Sequence, residues 1–220
     1  PVFSQEYDYF IWLPVLIKGN TNPIHQGIAT YYNATGEGAC MFDPSPDDLM
    51  VAAMNADEYE NAAVCGTYVE VQGPQGEVTV RIVDLCPECH TGHLDLSREA
   101  FAQIAALHLG RVDITWQVVS PPLSDPIIYH FKDGSNQWWT AVQVRHHRNP
   151  VATLEYLNGD DQWVNVPRTP YNYFVQASGM GPGPYTFRVT DSYGNQLVDS
   201  GIPHIENGSV SGAEQFPPGP

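Results

Sequence analysis

Positive charge is scarce in this chain. Nine Lys and Arg stand against 25 Asp and Glu in 220 residues, a formal net charge of −16. The surrounding field therefore repels polyanions at low salt, which disfavours nucleic acid, anionic membrane surfaces and heavily acidic pectin as partners. Long apolar runs are also missing, since no stretch approaches the roughly 18 to 20 residues that span a bilayer. The apolar stretch from Phe10 to Ile17 is broken by Pro14 and has no basic residue before it, so it does not read as an intact signal peptide. Residues 1–24 are accordingly read as an N-terminal extension of unassigned use. Cysteine is absent from the second half: Cys40, Cys65, Cys86 and Cys89 all lie in the first. An even count at local spacing suggests the disulfide framework of an exported protein, with a cytosolic metal site as the competing reading.

What the chain has in plenty is Gly and Pro, 19 of each. That abundance favours many turns and short strands over long helices. Runs rich in Val, Ile, Tyr and Thr predict strands over Gln26–Asn33, Thr67–Gly73, Glu77–Asp84 and Arg111–Val119, with Gly73-Pro74-Gln75-Gly76 as a hairpin turn. One helix is expected. Ser97 serves as its N-cap, Glu99 suits its first turn, and Phe101, Ile104, Ala105 and Leu107 fall near helical spacing. Residues 120–126, Ser-Pro-Pro-Leu-Ser-Asp-Pro, continue neither a ladder nor a helix and read as a linker. Beyond it, seven short strand patterns between Ile127 and Val198, with Asn158-Gly159 and Tyr193-Gly194-Asn195 as turns, indicate an all-β sandwich. The expected organisation is thus a first domain over 25–119, a linker, a sandwich over 127–207, and a loose tail over 208–220. The acidity is uneven: 14 acidic and 3 basic residues lie between His25 and Pro122, against 9 and 5 from Leu123 onward.

The densest chemistry lies between Val83 and Ser97. Cys86-Pro87-Glu88-Cys89-His90 matches a haem-attachment pattern, and Cys86, Cys89, His90 and His93 make a nominal zinc set. A haem requires an apolar envelope and a second axial ligand. Four zinc ligands within eight residues leave little loop to wrap a tetrahedron. No metal and no cofactor is therefore expected. Asp84 and Asp95 flank this loop, and a carboxylic acid in a half-buried groove is able to donate a proton to a glycosidic oxygen. Hydrolysis would need two such groups at a defined spacing. In the second half, Trp138-Trp139, Trp163 and Tyr171 are candidates for an aromatic platform against the apolar faces of sugar rings. Adjacent residues on a regular strand point to opposite faces, so Trp138 and Trp139 both reach the surface only if a strand starts or bulges there.

Four of these segments, Gly27-Ile28-Ala29-Thr30-Tyr31-Tyr32, Val83-Asp84-Leu85-Cys86-Pro87-Glu88, His93-Leu94-Asp95-Leu96-Ser97 and Ser135-Asn136-Gln137-Trp138-Trp139, stand in the order seen in expansins. The chain resembles the compact bacterial members from about His25 to Ile205. The resemblance implies a six-stranded double-psi β-barrel followed by an immunoglobulin-like sandwich. It further implies a secreted, monomeric protein that binds cellulose and matrix glycans such as xyloglucan and xylan, and loosens plant cell walls without hydrolysis. Carried over by position, Asp95 matches the aspartate on which activity depends, and Thr30 and Asp84 match polar groups of the same groove. Trp138, Trp139 and Tyr171 match the platform with Lys132 beside it, while Trp163 looks like a core residue. Disulfides Cys40–Cys65 and Cys86–Cys89 are implied with it. Cys86 stands where compact members without this disulfide place a groove tyrosine. Two alternatives remain at this level: a glycosidase or lytic transglycosylase on the same barrel, and a pure carbohydrate-binding protein.

Overall fold

The computed structural model describes residues 22–220. Most of the N-terminal extension lies outside the described residues. Six strands close a barrel: β1 (His25–Tyr32), β2 (Val51–Asn55), β3 (Tyr68–Gly73), β4 (Gly76–Cys86), β5 (Leu94–Ser97) and β6 (Val112–Val119). Their spatial order is β1-β5-β2-β4-β3-β6, with β1/β5 and β2/β4 parallel and the other pairs antiparallel. The four strands expected from sequence are present. The two not anticipated, β2 and β5, carry weak strand patterns for physical reasons. All five residues of β2, Val-Ala-Ala-Met-Asn, are buried, so alternation is erased, and β5 is only four residues long.

Inside the barrel, Val69, Val71, Val80, Ile82, Leu94, Leu96 and Trp116 form one core, and α1 (Arg98–Ile104) adds Phe101 and Ile104 to it. Each such side chain contributes roughly 1.5–3 kcal/mol on burial. The Ser97 hydroxyl caps α1 by accepting from the Ala100 N–H at 3.0 Å. Two glycines permit the barrel's closure. A Cβ on Gly27 would lie 2.0 Å from the Gly92 carbonyl oxygen, and that oxygen accepts from the Trp116 indole at 3.0 Å.

The second half forms two four-stranded antiparallel sheets. One has β10 (Trp163–Val166), β9 (Val151–Leu157), β12 (Tyr185–Asp191) and β13 (Gln196–Ile202) in that order; the other has β11 (Phe174–Gln176), β8 (Thr140–Arg145), β7 (Ile128–Phe131) and β14 (Ser209–Ser211). Tyr129, Phe131, Val142, Val144, Leu154 and Phe187 fill the space between them. This is the expected sandwich, with two corrections. The segment 208–220 is not loose: β14 pairs with β7, Phe216 is fully buried, and the Gly219 N–H donates to Ser120 at 2.9 Å. Its backbone also exchanges bonds with Ile127, so it straps the linker to the sandwich. A Pro- and Gly-rich ending hides this role because its only strand is three residues long, too short to show a period. Trp163 is not a core residue either. It lies half-buried on strand β10, with the Arg188 guanidinium 4.4 Å above its ring.

Barrel and sandwich meet through polar contacts, several of them buried. Gln143, fully buried on β8, donates to the Cys40 carbonyl at 2.8 Å, and Asn172 donates to the same oxygen at 3.3 Å. Arg168 donates to the Ala62 carbonyl at 2.8 Å, and Arg145 pairs with Asp43 at 2.5 Å. Cys40 is held in place by its bond to Cys65, while Cys86 is bonded to Cys89.

Candidate functional site

Register brings the polar residues of the first half into one row. Thr30 on β1 lies opposite Asp95 on β5, Asp95 opposite Ala53 on β2, and Ala53 opposite Asp84 on β4. Side chains in register across paired strands share a face. Their chain neighbours Ala29, Leu94, Leu96, Ala52, Met54 and Val83 belong to the barrel core, so the row lies on the outer wall. A bulge between Ala52 and Ala53 aligns Asp84 with this row, since without it the alternation of β4 would set a different residue there.

The hydroxyl of Thr30 donates to Asp95 Oδ1 at 2.5 Å. With its proton so committed, Thr30 Oγ1 accepts from His93 Nε2–H at 2.9 Å, giving a chain His93–Thr30–Asp95. Burial pushes the Asp95 carboxyl above the usual range, against the opposing effect of the Thr30 hydrogen bond and of His93. Burial also lowers His93. Asp84 is held differently. Its Oδ1 accepts from the Ala39 N–H at 2.6 Å and the Leu85 N–H at 2.8 Å. Only glycine at position 38 permits this, because a Cβ there would sit 2.4 Å from the Asp84 carboxyl carbon.

Between the aspartates, the Cys86–Cys89 disulfide packs on Ala53 and against Tyr32. The Tyr32 hydroxyl is buried without a hydrogen-bond partner, and desolvation together with Asp84 and Asp95 raises its pKa. His93 and Tyr32 were not singled out from sequence as members of this row. The signal was available in alternation: each lies two residues from a row member, Asp95 and Thr30 respectively. Among the described residues no group of three or more His, Cys, Asp or Glu is placed to hold a metal ion. Cys86 and Cys89, members of the nominal zinc and haem patterns, are tied up with each other.

The second-half candidates also gather. In the sheet β11-β8-β7-β14, the core takes Ile127, Tyr129 and Phe131, Val142 and Val144, and Phe174. Alternation therefore assigns Lys132, Trp139 and Tyr173 to the outer face, and Tyr171, in the turn before the left-handed Asn172, joins them through its ring contact with Tyr173. That same face presents Gln143 to the Cys40 carbonyl. Tyr171 and Tyr173 lie with ring centroids 6.1 Å apart, and the Lys132 ammonium is 6.0 Å from the Tyr173 ring. Trp138 and Trp139 precede β8, in a turn where the Asn136 carboxamide accepts from both of their N–H groups at 2.9 and 3.2 Å. Starting the strand only at Thr140 frees Trp138 from strict alternation, and it is 72% exposed. Trp139 is half-buried.

A family model described as lytic transglycolase matches residues 24–116, the barrel alone. Relatives that span both halves decide the family. Expansin-YoaJ of Bacillus subtilis (strain 168) is 38% identical over 199 residues, covering 88% of this chain and 84% of that protein. This chain belongs to the expansins. The crystal structure of the apo Clavibacter michiganensis expansin superimposes with a TM-score of 0.83 at 35% identity, covering 89% of this chain and 99% of that one. An aspartate-to-asparagine mutant of the same protein, in complex with cellohexaose, gives 0.84 at the same identity and coverage. The fold of this expansin is accordingly a double-psi β-barrel followed by an immunoglobulin-like sandwich.

Proposed function

We propose that this expansin binds cellulose through the outer face of its sandwich and loosens plant cell walls by disrupting non-covalent contacts between polysaccharides, without cleaving bonds. The observation that carries this reading is continuity. The row Thr30–Asp95–Ala53–Asp84 on the barrel reaches Ala39 through the Asp84 hydrogen bond, and the next residue, Cys40, receives Gln143 from the platform sheet. Both halves thus offer sugar-binding chemistry and are tied together by a buried contact. The complex of a similar expansin with cellohexaose supports a β-glucan as ligand.

In this reading Trp138, Trp139 and Tyr171 stack on the apolar faces of glucose rings, and Lys132 hydrogen-bonds to ring hydroxyls. Thr30, Asp84 and Asp95 grip a glucan in the barrel groove. Tyr32 supplies the aromatic wall that Cys86 does not. Asp95 with its raised pKa presents either a donor or an acceptor to a sugar hydroxyl as pH varies, whereas Asp84 keeps one oxygen committed to two backbone N–H groups. Xyloglucan and xylan chains in the matrix are the neighbours from which cellulose would be parted. Action outside the cell fits two disulfides, which persist in oxidising compartments, and in this reading the protein acts as a monomer.

The decisive experiment is a paired assay of wild type and Asp95→Ala on cellulose paper, recording sheet weakening and soluble reducing ends together. Weakening without sugar release, lost in the variant while binding persists, is the expected outcome. Release of sugar that depends on Asp95 would place the protein among cleaving enzymes of the same barrel. Weakening that survives in the variant would reduce the barrel to a spacer beside a binding module.

A further inference from the structure

Around the corner from the platform, at the end of the sandwich where β7 leaves and β8 begins, lies a cavity of about 330 Å³. Trp138 forms one wall, and Asn136, Gln137, Tyr185, His204 and Glu206 line the rest. Trp139 and Tyr171 do not border it. Trp138 is the most exposed large hydrophobic residue described, so it stands at the edge shared by the platform and this cavity.

The polar groups here are held in place yet have bonding capacity left. Glu206 accepts the Gly134 N–H at 3.0 Å through Oε1, and its Oε2 has no partner among the described residues. His204 Nε2 meets the Ser135 hydroxyl at 3.1 Å, its ring is packed edge-on against Phe131 at 4.8 Å, and Nδ1 has no partner among the described residues. An indole face beside a carboxylate and an imidazole matches a pyranose, whose C–H face is apolar and whose rim carries adjacent hydroxyls. The negative charge of Glu206 repels a uronate carboxylate, so the sugar is neutral.

We infer that this cavity is an additional subsite, which takes one neutral pyranose unit of a glucan chain beyond the unit stacked on Trp138. The inference rests on the platform reading and extends the bound chain around the edge of the sheet.

Calorimetric titration with cellotetraose, cellopentaose and cellohexaose tests it. Wild type should gain affinity with length. Glu206→Ala should lose that gain, with cellohexaose weakened roughly tenfold, the size of lost hydrogen bonds to a charged group, while cellotetraose binding stays unchanged. Glu206→Gln retains an acceptor for Gly134 and should fall between the two, which separates a sugar contact from loop disorder. Glu206→Ala titrating like wild type at every length would overturn the subsite. Cellotetraose binding unaltered by Trp139→Ala and Tyr171→Ala would overturn the platform, and the subsite with it.

Discussion

Asp95 and Asp84 are the same residue type on the same outer wall, and their partners set them apart. Asp84 is met by backbone N–H groups of Ala39 and Leu85, which survive any substitution there except proline. Asp95 depends on one hydroxyl, that of Thr30, itself oriented by His93. Thr30→Val is therefore expected to raise the Asp95 pKa further, because burial then acts without the bond that opposes it. Carbon-13 NMR titration of the Asp95 carboxyl reads this directly; an unchanged or lower midpoint would contradict the geometry. Asp84→Asn keeps the acceptor oxygen and should leave the fold intact, whereas Gly38→Ala forces a side chain into the Asp84 carboxyl and should lower the melting temperature.

At the scale of the element, the aromatic residues of the second half separate by strand. Replacing Trp138 and Trp139 with Ala should each cost about 1–3 kcal/mol of cellulose affinity, if sugar stacking resembles base stacking in size. Trp163→Ala should leave depletion isotherms on cellulose unchanged, since β10 is in the other sheet and the ring lies under Arg188. Equal losses at all three positions would refute the assignment of faces. The segment after the last strand makes a different demand. Phe216 is buried in the sandwich core and closes the strap across the linker, so Phe216→Ala should destabilise by about 3–5 kcal/mol in denaturant unfolding. A loose tail would give no change.

For the whole molecule, the junction of barrel and sandwich is the sensitive region. His147 is fully buried there, with Nδ1 donating to the Asn149 carbonyl at 2.7 Å and Nε2 close to Gly66 of the barrel. Burial lowers its pKa from 6.5 to about 4. The unfolded chain thus binds the proton first as pH falls, so stability is full above about pH 6.5 and declines toward pH 4, by roughly 3 kcal/mol in all. His147→Asn retains a donor for Asn149 and should flatten this part of the stability curve; an unaltered slope would rule out His147 as its source. The net charge of −16 acts at longer range. Binding to pectin-rich walls should be weak at low salt and rise as screening shortens the Debye length from about 30 Å at 0.01 M to about 8 Å at 0.15 M. The chain's linear order by itself determined the two-part β architecture and the helix cap at Ser97, because periodicity and capping are local properties; the residues proposed for groove and platform came from the resemblance carried by motif order. Only the tertiary structure decided that Thr30, Asp95 and Asp84 share one row, since a bulge in the β2/β4 pairing sets that register. It alone also revealed His93 and Tyr32 beside them, the buried strap after Gly208, and the Gln143 contact that joins the two halves. Each of these depends on strands far apart in sequence being brought side by side, which no local pattern encodes.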